Sequence, residues 1–545
     1  MDYILNSQQL WENFDPTAEQ LDIDVIKQTE RKGLVTKSFY FTGRELKRGK
    51  TRIYATVCYE HTACDKRAIL LIGDYSKPIE VDVLTDLAKR GFVAMSVDLS
   101  GRRDHGLHTI YPFELDYCNH ASRVSMFNLG ETARDNKVYE YAVCARRAIT
   151  YLKEEEKVGD VSVVTSGRGV YVGIIVMGMD DRISNGVVLF GNLSRDYPPP
   201  NKDEDIVGDD KAELDRHIAY DMRRQMWTLG LAPQTYALQI KVPLYVVNSA
   251  NSQYVDILPT NNTFLRVNGN SRMLVLPTAM DYLPTQYVDG VLQWINGCVA
   301  PAKSELKSFT DANGDYCLRV ITSHPFDKTS VWYCTDSDGR AKHWAKAKLT
   351  ESDNGYIAKL NLFEKNCNVV SFAVFDGEIS VSTTLLSEKI TANNVKKANN
   401  IVFSGTGSQM LIPVCEDGAW WNVALEPRLK KGYLKIPGAV GKSLATFAVN
   451  DKSIRISPSF TVGFDICCKF KQTIKLTAVC KFGTVNESYV HTQGVVGNGK
   501  WERVTFDKSS FHRIGDGKQL VETEKVEMLV ISADKEFIVN NIFLV

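Results

Sequence analysis

The chain has 545 residues, more than one hydrophobic core usually holds, so we expect two to four domains. Its 65 basic and 65 acidic side chains give a formal net charge of zero, which argues against nucleic acid as the main partner. No apolar run approaches the roughly 18 residues of a membrane span, and the first twenty residues lack the features of a signal peptide. We therefore expect a cytoplasmic protein without a membrane partner, unless a leader has been removed.

Twelve cysteines are scattered along the chain, and none forms the Cys-x-x-Cys pair that is typical of zinc sites. A chain of this length does not need a disulfide framework to fold. Free and mostly buried thiols are therefore expected, with no metal and no cofactor.

The first 300 residues predict an α/β domain. Residues 34–59 alternate like antiparallel strands, and 66–100 predict a strand, a helix and a second buried strand. The later elements continue this alternation: a helix at 138–156, a strand at 161–166, a helix at 170–180, and strands at 186–191, 242–249 and 272–278 before a helix at 285–297. Such alternation predicts a mainly parallel sheet covered by helices on both faces.

The rest of the chain predicts β structure. Residues 301–390 contain short alternating strands and favour a small immunoglobulin-like β-sandwich. Residues 391–400 are polar and are interpreted as a linker, and 401–545 favour a larger jelly-roll β-sandwich. The predicted fold class is thus α/β plus all-β, with three domains at 1–300, 301–390 and 401–545.

Several stretches of the first domain, in the same order, carry a family likeness. They are LWENFDPTAEQLDIDVI (10–26), AKRGFVAMSVDLSGR (88–102), HTIYPFELDY (108–117), YAVCARRAITYL (141–152) and DDRISNGVVLFG (180–191). In these stretches the sequence resembles α/β-hydrolases, specifically bacterial enzymes similar to acetyl-xylan esterases. The resemblance implies a serine on a glycine-flanked turn, an acid after a later strand, and a histidine near the last strand.

At each of these positions the chain departs from the family pattern. The turn VVTSGRGVYVG (163–173) places Gly167 at the serine, while Ser252 stands at the acid and Asp281 at the histidine. Asp74 lies in the loop where relatives stabilise an oxyanion, and its negative charge would oppose that role. No histidine lies between residues 218 and 323. The resemblance therefore predicts a hydrolase fold without its catalytic triad.

An active enzyme with unconventional groups is the alternative. Ser166 lies one residue before the expected nucleophile, although a serine bonded to the backbone of the turn is the simpler interpretation. Asp104, His105 and His108 form the densest titratable cluster, but the pair of histidines lacks a third metal ligand. Arg102 and Arg168 suit an acidic ligand, or a salt bridge to Asp281.

The jelly roll is predicted to bind a ligand through aromatic side chains. Trp420, Trp421 and Tyr433 are the candidates, because aromatic faces stack on sugar rings. We therefore expect a polysaccharide or oligosaccharide as partner. A scaffold protein without a ligand is a further alternative, and the sequence leaves the oligomeric state open.

Overall fold

The computed structural model describes residues 4–545, except for 62–66, 197–212, 253, 268–269, 278–282, 300, 323–325, 327, 336–340, 353–354, 406–411, 414–427 and 484. The chain divides into two compact units. The first comprises Met1–Val246, Pro259–Arg272 and Ile295–Cys298, and the second Val247–Leu258, Met273–Trp294 and Val299–Val545. The predicted domain boundaries at 300, 390 and 400 stay predictions.

Nine strands lie in the described residues of the α/β part of the chain. They are β1 (Asp24–Arg31), β2 (Leu34–Leu46), β3 (Gly49–Glu60), β4 (Arg67–Ile72), β5 (Phe92–Val97), β6 (Val161–Ser166), β7 (Asn185–Leu189), β8 (Leu244–Ser249) and β9 (Arg272–Leu276). The first unit has the strand order β1-β2-β3-β5-β4-β6-β7 and continues into β8. Strands β1 to β3 are antiparallel and extend the sheet. The alternating sequence of 34–59 predicts β2 and β3, whereas β1 was not predicted.

The centre of this sheet is parallel. β4 pairs in parallel with β5 on one side and with β6 on the other, and β6 pairs in parallel with β7. These strands read as nearly continuous apolar runs because helices cover both faces. The predicted α/β fold class is confirmed, and it places the carboxyl ends of β4 and β6 side by side.

Seven helices accompany these strands in the described chain. They are α1 (Ser7–Trp11), α2 (Val81–Ala88), α3 (Lys137–Glu154), α4 (Gly169–Met179), α5 (Glu213–Gly230), α6 (Ile257–Phe264) and α7 (Thr285–Ile295). α4 is apolar all round and its first nine residues are buried, as expected of a helix packed within a core. The sequence predicts α2, α3, α4 and α7 but misses α1, α5 and α6.

The middle of the chain forms strands β10 to β18. They are β10 (Glu305–Thr310), β11 (Tyr316–Ile321), β12 (Lys328–Cys334), β13 (Ala345–Lys346), β14 (Lys348–Ser352), β15 (Gly355–Lys359), β16 (Asn366–Asp376), β17 (Val381–Ser382) and β18 (Leu386–Thr391). One sheet has the order β10-β11-β15-β14, and the other contains β17-β16-β12-β13 with β18 also on β16. All of these pairings are antiparallel, as predicted for this part of the chain.

The last part of the chain is a ten-stranded antiparallel assembly. Its strands are β19 (Ile401–Phe403), β20 (Ile412–Pro413), β21 (Leu429–Lys431), β22 (Pro437–Thr446), β23 (Thr461–Cys467), β24 (Gln472–Cys480), β25 (Glu487–Val495), β26 (Trp501–Asp507), β27 (His512–Arg513) and β28 (Met528–Leu544). The long β28 pairs with β19, β22, β23 and β24 and so joins these four strands in one assembly. Apolar side chains from these strands form one buried cluster.

Ten cysteines lie in the described part of the chain, and all ten are free thiols. Eight of them are buried, as the sequence predicts. Among the described helices, none has the length and apolar character that crossing a bilayer requires.

Candidate functional site

The turn between β6 and α4 has the backbone of a strained strand-to-helix turn. Gly167 adopts a φ of +55°, a left-handed conformation that other residues adopt only at a cost. A Cβ on Gly169 would lie 2.2 Å from the carbonyl oxygen of Gly73, and one on Gly173 would lie 2.7 Å from the Thr165 side chain. The last two glycines therefore allow α4 to pack closely on the ends of β4 and β6, as predicted.

A carboxylate stands where a side chain at residue 167 would point. A Cβ on Gly167 would lie 3.3 Å from Cβ and 3.4 Å from Oδ2 of Asp74. Asp74 is held there by Arg168, whose Nη2 and Nε lie 3.0 and 3.1 Å from Oδ1. Ser76 donates to the same oxygen from its backbone N–H, at 2.9 Å, and from its hydroxyl, at 2.8 Å. The position of the family's nucleophile is thus bordered by a fixed ion pair.

The ion pair sets the charge of this turn. Burial alone would raise the pKa of Asp74, but the hydrogen bonds from Arg168 and Ser76 outweigh it and lower that pKa below its ordinary value. The Arg168 guanidinium also lies 4.9 Å from the ring centroid of Tyr75. Burial raises the pKa of the Tyr75 hydroxyl to about 12, so this phenol stays protonated at neutral pH. The carboxylate stays ionised, which is unfavourable beside a developing oxyanion.

Ser166 is half-buried at the end of β6. A Cβ on Gly73 would lie 4.0 Å from its hydroxyl oxygen. Within the described part of the chain this hydroxyl makes no hydrogen bond, so the predicted bond from Ser166 to the turn backbone is absent. No described histidine is bonded to it either, and a serine needs such a base to become a nucleophile.

The 102–108 loop is held by its own contacts. Arg102 binds Asp104 through two nitrogens, with Nε 2.7 Å from Oδ1 and Nη2 2.8 Å from Oδ2, and it donates to the Ser76 carbonyl at 3.2 Å. The Nδ1 atom of His108 lies 2.7 Å from the Gly106 carbonyl oxygen. The Nδ1 atom of His105 is buried and has no hydrogen-bond partner among the described residues.

The loop and the turn meet at Ser76, which contacts both Arg102 and Asp74. Both arginines that the sequence proposes as ligand-binding groups are therefore paired with nearby carboxylates: Arg102 with Asp104, and Arg168 with Asp74. The predicted alternative partner of Arg168, Asp281, lies outside the described residues. Within the described residues, no group of three or more potential metal ligands comes together.

Ser252, the residue at the family's acid position, belongs to the second unit. It is buried, and its hydroxyl accepts the backbone N–H groups of Tyr254 and Val255 at 3.1 and 3.0 Å. Asn251 beside it is fully buried and accepts from the Lys342 N–H at 3.0 Å and from Trp344 Nε1 at 3.2 Å. The polar side chains of Asn251 and Ser252 in the loop after β8 therefore form structural hydrogen bonds.

In the jelly roll, Tyr433 is 41% exposed and lies in a turn before β22. The Lys500 ammonium lies 6.0 Å from the centroid of its ring, and Trp501 Nε1 donates to its carbonyl oxygen at 2.9 Å. Trp420 and Trp421 lie outside the described residues. The contact between Trp501 and Tyr433 could not be predicted, because a contact between distant segments leaves no local sequence signal.

Strand order and the strand-to-helix turn together define an α/β-hydrolase-type fold in the first part of the chain. Solved structures similar to the chain include acetyl xylan esterase 1 from a Thermoanaerobacterium species, with 13% identity and a TM-score of 0.41, covering 55% of this chain and 96% of that one. An acetyl xylan esterase from a Paenibacillus species has 14% identity and a TM-score of 0.38, covering 52% and 91%.

A third similar structure is a cold-adapted esterase from an Arctic intertidal metagenomic library, with 13% identity and a TM-score of 0.33, covering 50% of this chain and 98% of that one. No protein-family model matches the sequence. The comparison with curated proteins gives no match either. The activities named for these similar structures belong to those proteins.

Proposed function

We propose that this protein is a non-catalytic relative of carbohydrate esterases, in which the hydrolase-type fold persists without serine-based hydrolysis. The observation that carries the proposal is the ion pair of Asp74 and Arg168 beside Gly167. A fold does not depend on its catalytic residues, because core packing stabilises it. The hydrolase-like part then serves as a framework for the β-rich part of the chain.

Three chemical requirements of acyl transfer are compared with the site, and the lack of each one supports the proposal. The residue at the turn has no side chain to attack a carbonyl carbon. Asp74 beside it is an anion, whereas hydrolases place hydrogen-bond donors where the oxyanion develops. Ser166, the serine next to the turn position in sequence, has no hydrogen-bonded base within the described residues.

The experiment is hydrolysis of p-nitrophenyl acetate by the purified full chain and by its Ser166→Ala and His105→Ala variants. We expect all three to give the same rate, equal to that of a heat-denatured sample. The Gly167→Ser variant is expected to stay inactive as well, since it restores a hydroxyl without a base. Turnover above background that disappears in Ser166→Ala or His105→Ala would establish an unconventional enzyme and reject the proposal.

Saccharide binding by the jelly roll is the second part of the proposal. It is supported by the exposed ring of Tyr433 and by the aromatic residues that the sequence places near it. The test is a glycan array probed with the full chain and with a Tyr433→Ala variant, with Tyr356→Ala in the middle part of the chain as the matched control. Binding that is lost only in Tyr433→Ala supports a saccharide ligand, and binding to no glycan contradicts it.

A further inference from the structure

One surface of the last part of the chain combines exposed apolar side chains with several lysines. We call this surface the basic tip and define it as residues 428–436, 469–471, 496–500 and 534–536. These segments touch one another. Lys500 lies over Tyr433, Lys535 lies 4.5 Å from the ring centroid of Phe470, and Glu536 binds Lys430 at 2.9 Å. The basic tip is therefore one continuous surface.

Its apolar side chains are unusually exposed. Leu434 is 73% and Phe470 57% accessible to solvent. The other exposed apolar residues of the basic tip are Leu429, Tyr433, Ile436 and Val496. Contiguous exposed apolar groups of this kind mark interaction sites in folded proteins.

The backbone that presents Leu434 is strained. Leu434 and Lys435 have φ angles of +54° and +61°, and two successive left-handed residues other than glycine are rare. The Trp501 side chain packs against this turn. Its Nε1 donates to the Tyr433 carbonyl, and a Cβ on Gly432 would lie 2.6 Å from its ring. Since the Leu434 side chain is exposed, the fold gains no core packing from this strain. Strain without a packing benefit indicates a functional constraint.

Charge is concentrated at the same place. The basic tip contains eight lysines and arginines and two carboxylates, although the whole chain has equal numbers of both signs. Glu536 pairs with Arg428 and Lys430. In the described part of the chain, the remaining lysines of the basic tip make no salt bridge; they are Lys431, Lys435, Lys469, Lys471, Lys500 and Lys535. The surface is therefore strongly positive around its apolar centre.

We propose that the basic tip docks on an anionic membrane surface. Leu434, Ile436 and Phe470 would enter the boundary between headgroups and acyl chains, and the surrounding lysines would contact anionic headgroups. The ammonium groups of Lys500 and Lys535 lie over the rings of Tyr433 and Phe470, so positive charge and exposed apolar surface occur together at this site. The sequence-based expectation of no membrane partner considered spanning segments, and these do not report a local peripheral site.

The experiment is cosedimentation of the full chain with vesicles of phosphatidylcholine alone and with 30% phosphatidylserine. We expect binding to the anionic vesicles only, weakened by salt. Leu434→Asn is expected to reduce binding about tenfold, since a leucine leaves the interface. Asn tolerates the left-handed backbone, so this variant keeps its fold. Lys435→Glu is expected to reduce binding at least fivefold.

Matched controls lie outside the basic tip. Val485→Asn changes an equally exposed apolar residue, 69% accessible, beyond the far end of β24, and Arg455→Glu makes the same charge change beyond the far end of β22. Both are expected to bind like the unmodified chain. The proposal is overturned if the chain binds no vesicle, if Leu434→Asn and Lys435→Glu bind like the controls, or if an acidic polysaccharide such as alginate is bound while vesicles are not. None of these outcomes depends on esterase activity.

Discussion

At the scale of single residues, the turn after β6 has the backbone shape of a nucleophile turn, but it presents no nucleophile and borders a carboxylate. Gly167 has the left-handed backbone, and Gly169 allows the close approach of α4 to β4. The group beside the turn is a carboxylate that is held by Arg168 and Ser76. Asp74 now contributes to stability, because each of its partners favours its ionised form.

Replacing Asp74 by Asn tests this role. The change leaves Arg168 without its carboxylate, so we expect the free energy of unfolding to fall by about 1 kcal/mol at pH 7. The pKa of Asp74 is lowered in the folded state, so its stabilisation is present above its ordinary value of 3.8 and is lost as the pH falls below that value. Urea unfolding at pH 7 and at pH 3 should therefore show a difference between the two proteins that closes in acid.

Asp104→Asn is the matched control, because Asp104 forms a similar but more exposed pair with Arg102. A smaller loss of stability is expected there. An Asp74→Asn variant that is as stable as the unmodified chain at pH 7 would mean that the ion pair contributes nothing.

Sequence alone identifies some of these residues and misses how they pair. The spacing of Gly167, Gly169 and Gly173 predicts a tight turn with close helix packing, because only local geometry is involved. Arg168 pairs with Asp74, 94 positions earlier in the chain, a contact that the sequence did not predict. Which carboxylate reaches an arginine depends on how parallel strands are ordered, and no local pattern encodes that order.

At the scale of elements, α3 carries a charge into the core of the first unit. Glu140 is fully buried and lies 2.9 Å from Arg44 Nη2 on β2, and it accepts from Thr51 on β3 at 3.3 Å. Burial raises the pKa of Glu140 even though Arg44 and Thr51 act in the opposite direction. This contact joins α3 to two antiparallel strands, and its disruption leaves a buried charge.

Arg44→Met should show this cost. At pH 7 we expect the free energy of unfolding to fall by about 3 kcal/mol, since Glu140 keeps no counter-ion. Without Arg44 the pKa of Glu140 in the folded state rises further. In the unfolded state Glu140 binds its proton only near the ordinary pKa of 4.5, so between pH 7 and 5 the folded state binds more protons than the unfolded state. The loss of stability should therefore shrink as the pH falls from 7 to 5, as measured by urea unfolding.

The double variant Arg44→Met, Glu140→Gln removes both charges and is expected to recover part of the lost stability, with no comparable pH dependence between 7 and 5. A single Arg44→Met variant whose loss is equal at both pH values would contradict the role assigned to Glu140.

The loop after β8 makes a buried polar contact without charge, within the second unit. Asn251 binds the backbone of Lys342 with both ends of its amide and also accepts from the indole of Trp344. In Asn251→Ala these buried groups lose their partners, so we expect the free energy of unfolding to fall by about 3 kcal/mol. The exposed Asn366, which accepts from Thr391, provides the control, and Asn366→Ala is expected to cost about 0.5 kcal/mol. Equal stability losses in the two variants would argue against the role of Asn251.

Elements with a strong apolar period are predictable from the sequence, and polar ones are not. β6 begins and ends where the sequence predicts, and α3 and α4 are each displaced by one or two residues. α5, with the sequence ELDRHIAYDMRRQMWTLG, was missed because charged residues interrupt its apolar period. A helix of this kind depends on tertiary packing for its stability, which local patterns do not report.

At the scale of the whole molecule, averages conceal where charge and reactivity lie. The net charge of zero led to the expectation that nucleic acid is not the main partner and left a local basic patch open, and the basic tip carries six more positive than negative side chains. Composition reports totals, and the fold decides which distant segments of one sign meet. The same holds for the cysteines, whose number says nothing about access to solvent.

Thiol reactivity across the whole chain tests how the fold buries them. Among the ten described cysteines, Cys298 is the exposed one, Cys367 is half-buried, and the other eight are buried. Burial raises the pKa of the buried Cys480 thiol to about 12, so very little reactive thiolate forms there at neutral pH. Among these ten, brief labelling of the native chain with iodoacetamide at pH 7.5, mapped by mass spectrometry, should therefore modify Cys298 first and Cys367 slowly.

Urea should expose all twelve cysteines to the reagent. The Cys298→Ser variant is the control and should lose the fast label without any change in the urea-exposed remainder. Rapid native labelling of Cys118 or Cys144 would contradict the packing of α3, because Cys144 is a buried residue of that helix, Cys118 is also buried, and burial holds the pKa of each thiol well above its ordinary value. In that case the hydrolase-type part would open far more readily than its close packing implies.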